Sequence, residues 1–166
     1  MFREMRRSKQ KLTDEEAVAI LMSGETGVLA LLGDDGYPYA LPINYVYADG
    51  NIYMHSAKTG HKIDAIKAYE KASFCVIDRA DVVPQDYATD FRSVIAFGKV
   101  RLLEDEGEKL RTLRKLGDRF NPGHDDALEA EIAKEFARVA MIELSIEHLS
   151  GKQSKSLLQQ QKSQQS

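Results

Sequence analysis

Tyr53-Met54-His55-Ser56-Ala57-Lys58-Thr59-Gly60-His61-Lys62-Ile63-Asp64 is the stretch around which the rest of the chain falls into place. A β-prone apolar run ends at Met54, small residues turn the chain, and a helical pattern starts at about Lys62. A strand that opens into a helix start presents free backbone N–H groups and the positive end of a dipole, which suit a phosphate. Ser56, Lys58, His61 and Lys62 add a hydroxyl and cationic groups in sequence. The same spacing also describes an ordinary strand-to-helix turn whose polar side chains face water.

Working outward toward the N-terminus, residues 28–32 form a short continuous apolar run that suits a buried strand. Gly33-Asp34-Asp35-Gly36 is a hairpin-type turn, and residues 37–47 are the return strand, interrupted by Pro38 and Pro42. Proline removes a ladder donor, so this strand is an edge, carries a bulge, or runs beside a ligand. In the last case backbone groups of Leu41, Ile43 and Asn44 face a planar heterocycle with a donor and acceptor edge. With residues 52–55 as a third strand, the simplest arrangement is an antiparallel meander. Ahead of it, Thr13 and Glu16 have capping-box spacing at the start of a helix that Ser23-Gly24 ends.

Toward the C-terminus the pattern predicts a helix over 63–69 with Ile63, Ile66 and Tyr69 on one face. A strand over 73–78, a polar loop over 79–90 and a long strand over 92–102 follow, the last bent at Gly98. Helices over 104–117 and 127–136 precede a half-exposed strand over 140–149. The fold class is therefore mainly β with flanking helices, a six-stranded antiparallel barrel formed by residues 1–152. Residues 153–166, Lys, Gln and Ser with one Leu pair, are predicted to be a disordered polar tail.

Composition removes several function classes. The 166 residues are 43% hydrophobic and 30% charged, with a formal net charge of −3, which leaves no excess of cations for a nucleic-acid surface. Two basic runs, Arg3 to Lys11 and Arg111 to Arg119, lack interleaved stacking aromatics and read as solvated helix faces. The single cysteine, Cys75, excludes an internal disulfide and a cysteine-based zinc site. His55 and His61 have no acid between them, and His124 and His148 are far off, so no metal site is expected. No nucleophile elbow, dinucleotide fingerprint or Walker loop is present, so any hard chemistry must come from a bound cofactor. No bilayer-spanning stretch and no leader pattern stand out, which fits a cytoplasmic protein.

Met1-Phe-Arg-Glu-Met-Arg-Arg, Leu29-Ala-Leu-Leu-Gly-Asp-Asp-Gly-Tyr-Pro-Tyr-Ala, Asn44-Tyr-Val-Tyr-Ala-Asp-Gly and His55-Ser-Ala-Lys-Thr-Gly-His-Lys-Ile-Asp-Ala-Ile resemble the pyridoxamine 5′-phosphate oxidase-like flavoproteins. Arg92-Ser-Val-Ile-Ala-Phe-Gly and His148-Leu-Ser-Gly-Lys resemble their nitroimidazole-resistance (Nim) branch. The resemblance implies a split β-barrel binding FMN at a homodimer interface. On it, the backbone of Leu41, Pro42, Ile43, Asn44 and Tyr45 runs along the isoalloxazine ring, and His55, Ser56 and Lys62 hold the phosphate and ribityl chain. Arg92, Ser93 and Val94 reach the flavin from the partner subunit. His61 lies near the flavin, faces the substrate and is the proton source, being the residue type that titrates in the physiological range. The implied activity is oxidoreduction of a small aromatic acceptor, resembling 5-nitroimidazole reductases. Alternatives on the same barrel are a non-catalytic flavin-binding or sensing protein, a deazaflavin binder, and a haem- or small-ligand-binding protein with His55 or His61 as axial ligand.

Overall fold

In the computed structural model, which describes residues 1–164, the chain opens with a basic segment closed by a 3-10 turn, Ser8–Gln10. Helix α1 (Asp14–Ser23) begins where the sequence placed it. The Glu16 N–H donates to Thr13 Oγ1 at 3.2 Å and the Thr13 N–H donates to Glu16 Oε2 at 2.8 Å, so both halves of the capping box are present. Its buried stripe is Ala17, Ile20 and Leu21, while Met22 faces solvent.

Strands β1 (Thr26–Leu32) and β2 (Pro38–Asn44) form the first hairpin, in unbroken register from Thr26 opposite Asn44 to Leu32 opposite Pro38. The strand expected over 37–47 then breaks at Tyr45. Its second part, β3 (Val46–Ala48), pairs with β4 (Asn51–Ala57) and not with β1. The break has a local cause. The Tyr45 side chain turns fully into the core, its hydroxyl donates to the Leu21 carbonyl at 2.9 Å, and its N–H donates to the Glu25 carbonyl. Its ring meets Phe74 edge-on at 4.9 Å, and burial raises its phenol to about 12.

Helix α2 (His61–Ala68) buries Ile63 and Ile66; Tyr69, expected on the same face, lies past its end and is exposed. Strands β5 (Lys71–Val83) and β6 (Ala88–Leu102) follow, then α3 (Glu106–Phe120), α4 (Asp125–Glu135), β7 (Val139–Gln153) and α5 (Lys155–Gln164). The described residues form one antiparallel sheet in the order β2-β1-β5-β6-β7-β4-β3. This corrects the six-stranded closed barrel: there are seven strands, and hydrogen bonding does not close the sheet. Only the chain itself, through Tyr45, joins the two end strands. Pro38 and Pro42 lie in β2 at one end of that order, which is the edge placement their missing donors require.

Two further expectations are corrected. Residues 79–90 are an extension of the β5–β6 hairpin, paired from Arg79 opposite Arg92 to Val83 opposite Ala88, and not a loop. Backbone pairing carries this arm, so its polar side chains can stay in water on both faces. The polar tail also folds, as far as it is described. The Leu157 N–H donates to Ser154 Oγ, capping α5, and Leu157 is buried. Gln153 Nε2 donates to Gln161 Oε1, and Asp90 accepts from Ser154 and Ser156. One buried leucine and a fixed first turn suffice where composition alone predicted disorder; residues 165 and 166 lie outside the described residues.

The main core joins α1, β1, β4, β5, β6 and β7 through residues such as Leu21, Leu29, Met54, Phe74, Val94 and Ile142. A smaller cluster of Val46, Tyr53, Leu103, Leu116 and Met141 seats α3 on the β3–β4–β7 side. Gly98 marks a register shift between β6 and β7, the bend expected of it. Among the described residues no helix is long and apolar enough to cross a membrane.

Candidate functional site

Strand β4 delivers His55, Ser56 and Ala57 to the sheet surface before the turn into α2. Gly60 caps that helix at φ 113° and ψ 170°, a backbone region essentially open only to glycine. It offers no side chain to the helix end, and its carbonyl takes the N–H groups of Ile63 and Asp64. The N–H groups of His61 and Lys62 therefore open outward from the first turn, beside the Lys62 ammonium.

Lys62 is half-buried, and burial lowers the pKa of its ammonium. Among the described residues no carboxylate forms an ion pair with it. A desolvated cation with no internal counter-charge is costly unless an anion joins it. Desolvation first, and the neighbouring Lys62 ammonium second, hold the His55 imidazole below the usual histidine range. His55 is thus neutral at neutral pH and able to donate one N–H. Because its folded pKa lies below the unfolded value of about 6.5, the unfolded chain takes up the proton first as pH falls. The stability contribution is full above pH ~6.5 and is lost as pH falls through the folded value. The expected outcome is a melting temperature that declines from pH 7 to pH 5 in the wild type, with a shallower slope in His55→Gln.

His61 stacks on Tyr39 of β2, with ring centroids 4.1 Å apart and planes 16° from parallel. Its Nε2 lies 3.4 Å from the Asp34 N–H and 3.7 Å from Asp34 Oδ2. The neutral ring accepts from the amide and the protonated ring pairs with the carboxylate, so His61 has a partner in both states. Sequence reasoning missed both Tyr39 and Asp34. Their positions, 22 and 27 residues before His61, carry no signal until the β1–β2 hairpin folds over the start of α2.

The β2 residues are close to expectation in place but not in role throughout. Leu41 and Ile43 pack toward the core, Pro42 and Asn44 face out, and Asn44 Nδ2 donates to Thr26 Oγ1 at 3.3 Å. Tyr45 is fully buried with its N–H already used, so it offers a ligand neither side chain nor amide. On β6, Val94 is likewise a core residue. Arg92 donates to Asp78 Oδ2 at 2.5 Å, and Ser93 sits opposite Ile77 on one side and Lys152 on the other.

Within one chain His55 and Arg92 stand toward opposite ends of β7. Strand β7 pairs with His55 at Met141 and with Arg92 at Gln153, twelve residues further along. That is roughly 40 Å of strand at ~3.3 Å per residue.

A cleft of about 410 Å³ opens beside His55, between α3 and α4, walled by Leu116, Phe120, Leu128 and Ile132. No three His, Cys, Asp or Glu side chains converge among the described residues.

A sequence family described as pyridoxamine 5′-phosphate oxidase matches residues 13–153. No curated protein matches the chain in sequence. Among solved structures, a conserved hypothetical protein from Mycobacterium tuberculosis superposes with a TM-score of 0.79 at 18% identity, covering 93% of this chain and 92% of that one. A putative 5-nitroimidazole antibiotic resistance protein from Bacteroides thetaiotaomicron superposes at 0.69 and 20% identity, covering 86% and 85%. An FAD-binding protein from Mesorhizobium loti superposes at 0.62 and 25% identity, covering 88% and 98%.

Proposed function

This chain belongs to the pyridoxamine 5′-phosphate oxidase family, and on that premise we propose that it is an FMN-binding oxidoreductase, nitroreductase-like, acting as a homodimer on a small aromatic acceptor. The observation that carries the proposal is Lys62, half-buried, desolvated and without a carboxylate partner beside two open N–H groups. That donor set suits a terminal phosphate. Ser56 and neutral His55 add a hydroxyl and a ring N–H next to it.

Bound flavin supplies the electron chemistry that no side chain of this chain can. The chain's own contribution is orientation, exclusion of water and a proton. His61, held flat on Tyr39 with a partner in either protonation state, is the proton-carrying residue. Strand β2, an edge with one side of its backbone unpaired, is the wall for the planar ring.

The positions of His55 and Arg92 toward opposite ends of β7 favour the homodimer, in which residues 92–94 approach a flavin held at His55 and Lys62 from a second copy. The outward face of β5 and β6 supports it too, since Ile77, Ile95 and Phe97 are exposed there, and Val82 and Tyr87 are exposed on the arm beyond.

Purified protein is expected to be yellow, to release about one FMN and no FAD per chain, and to elute as a dimer. His61→Ala is expected to lower turnover of a nitroaromatic by roughly 100-fold while FMN content stays at the wild-type level. A colourless protein that takes up no FMN on reconstitution defeats the proposal.

A further inference from the structure

The basic segment at the N-terminus was expected to be a solvated helix face. In the fold it is one wall of a cleft of about 350 Å³, bounded by Arg6, Arg7, Ser8, Lys9 and Gln10 on one side and by Lys155 on the other. Four cations from two distant parts of an acidic chain meet there. Among the described residues none of the four has a carboxylate within ion-pair distance. Asp90 accepts from the hydroxyls of Ser154 and Ser156, and Glu4 lines a different cleft. A bridge between Lys11 and Lys152 sets two more ammonium-bearing residues side by side at the same end of the sheet. Concentrating like charge in this way costs stability unless an anion is taken up.

A second observation is independent of charge. Gln10 is 4% exposed, and its Nε2 donates to the Gln153 carbonyl at 3.0 Å. Its Oε1, like that of Gln153, is buried with no donor among the described residues. The wall that supplies the cations thus also holds an acceptor that lacks an N–H or O–H partner.

We propose that this cleft binds the phosphates of a small nucleotide-like molecule, with Arg6, Arg7, Lys9 and Lys155 on the phosphate oxygens and Gln10 fixing the segment that carries the first three through its hydrogen bond to Gln153. Its volume is that of a small-molecule site. The net charge of −3 over the whole chain disfavours an extended polyanion.

Its location suggests what such a ligand would be for. Lys152, bridged to Lys11, lies directly across from Ser93 on β6, within the segment assigned to the partner's flavin. The role we assign to this cleft is to anchor a phosphorylated electron donor for the flavin that this segment contacts. This role rests on the flavin reading above; the phosphate site itself does not.

The test is titration of the full-length protein, as purified, with ADP, pyrophosphate and adenosine by calorimetry at low salt. ADP and pyrophosphate are expected to bind and adenosine not to. Binding should weaken at least tenfold in Arg7→Gln/Lys155→Gln, two exposed positions whose replacement leaves flavin content unchanged and the melting temperature of the ligand-free protein equal or higher. Reduction of bound flavin by NADPH, but not by dithionite, should slow in the same variant. Absence of ADP binding at low salt overturns the site, as does equal binding by the variant. A single-stranded oligonucleotide that binds far more tightly than ADP overturns the small-molecule occupant. If the protein holds no flavin yet binds ADP through these residues, the flavin reading fails and the phosphate site stands.

Discussion

Lys62→Met is expected to weaken FMN binding by roughly 10- to 100-fold, since a charge-assisted hydrogen bond contributes about 1.5–3 kcal/mol. The same change should leave the flavin-free protein as stable as the wild type or slightly more so. The reason lies in the position of the side chain. Lys62 is half-buried on the first turn of α2, desolvation lowers its pKa, and no carboxylate among the described residues offsets its charge. Methionine keeps most of the aliphatic stem and removes the desolvated ammonium. A structural lysine would behave in the opposite way, losing stability and leaving affinity alone. Quenching of flavin fluorescence on titration reads the affinity, and a melt of the flavin-free protein reads the stability. Removing Lys62 should also relieve the His55 imidazole of a like charge, which brings its folded pKa nearer the unfolded value, so the loss of stability from pH 7 to pH 5 should be smaller than in the wild type. Unchanged FMN affinity would assign Lys62 to the solvated turn that the bare sequence also allowed.

Gly98→Ala should be the most damaging single methyl group in the chain, costing about 3 kcal/mol or more and lowering the melting temperature by on the order of 10 °C. Gly98 lies where the β6–β7 register shifts, opposite Ile146, with Ala72 of β5 on its other side. A Cβ there would run into the backbone carbonyl of Ser145. A flexible side chain could move aside, but a carbonyl in a paired strand cannot do so without breaking the ladder on both sides of β6. Thermal melts of purified protein check this, and a variant melting within a degree or two of wild type would show that the sheet can yield there.

How much could be read beforehand depended on the range of the forces involved. The capping box of α1 and the glycine before α2 are set by residues within four positions of one another, and each is where the sequence placed it; Gly98 also lies at the predicted irregularity, although what forbids a side chain there is the Ser145 carbonyl on β7. The arm over 79–90 and helix α5 were not legible, because both are polar segments held from outside. The arm is held by backbone pairing across β5 and β6, and α5 by Ser154, Asp90 and a glutamine on β7. The split of one predicted strand into β2 and β3 turned on Tyr45, whose preference for the core depends on Leu21 and Phe74 being there to receive it.

For the candidate site the division is similar. By itself the sequence determined the junction proposed as the phosphate end, since a strand, a glycine turn and a helix start carrying His55, Ser56, His61 and Lys62 are contiguous and their geometry is local. Only the tertiary structure decided that His61 lies on Tyr39 beside Asp34, that Tyr45 and Val94 face the core, and that Arg92 stands at the far end of β7 from His55. It alone gathered Arg6, Arg7 and Lys9 with Lys155 into one cleft. The physical reason is that side-chain identity and short-range backbone preference are written residue by residue. Which face of a strand is buried, and which distant charges become neighbours, are fixed only when the whole sheet chooses its register.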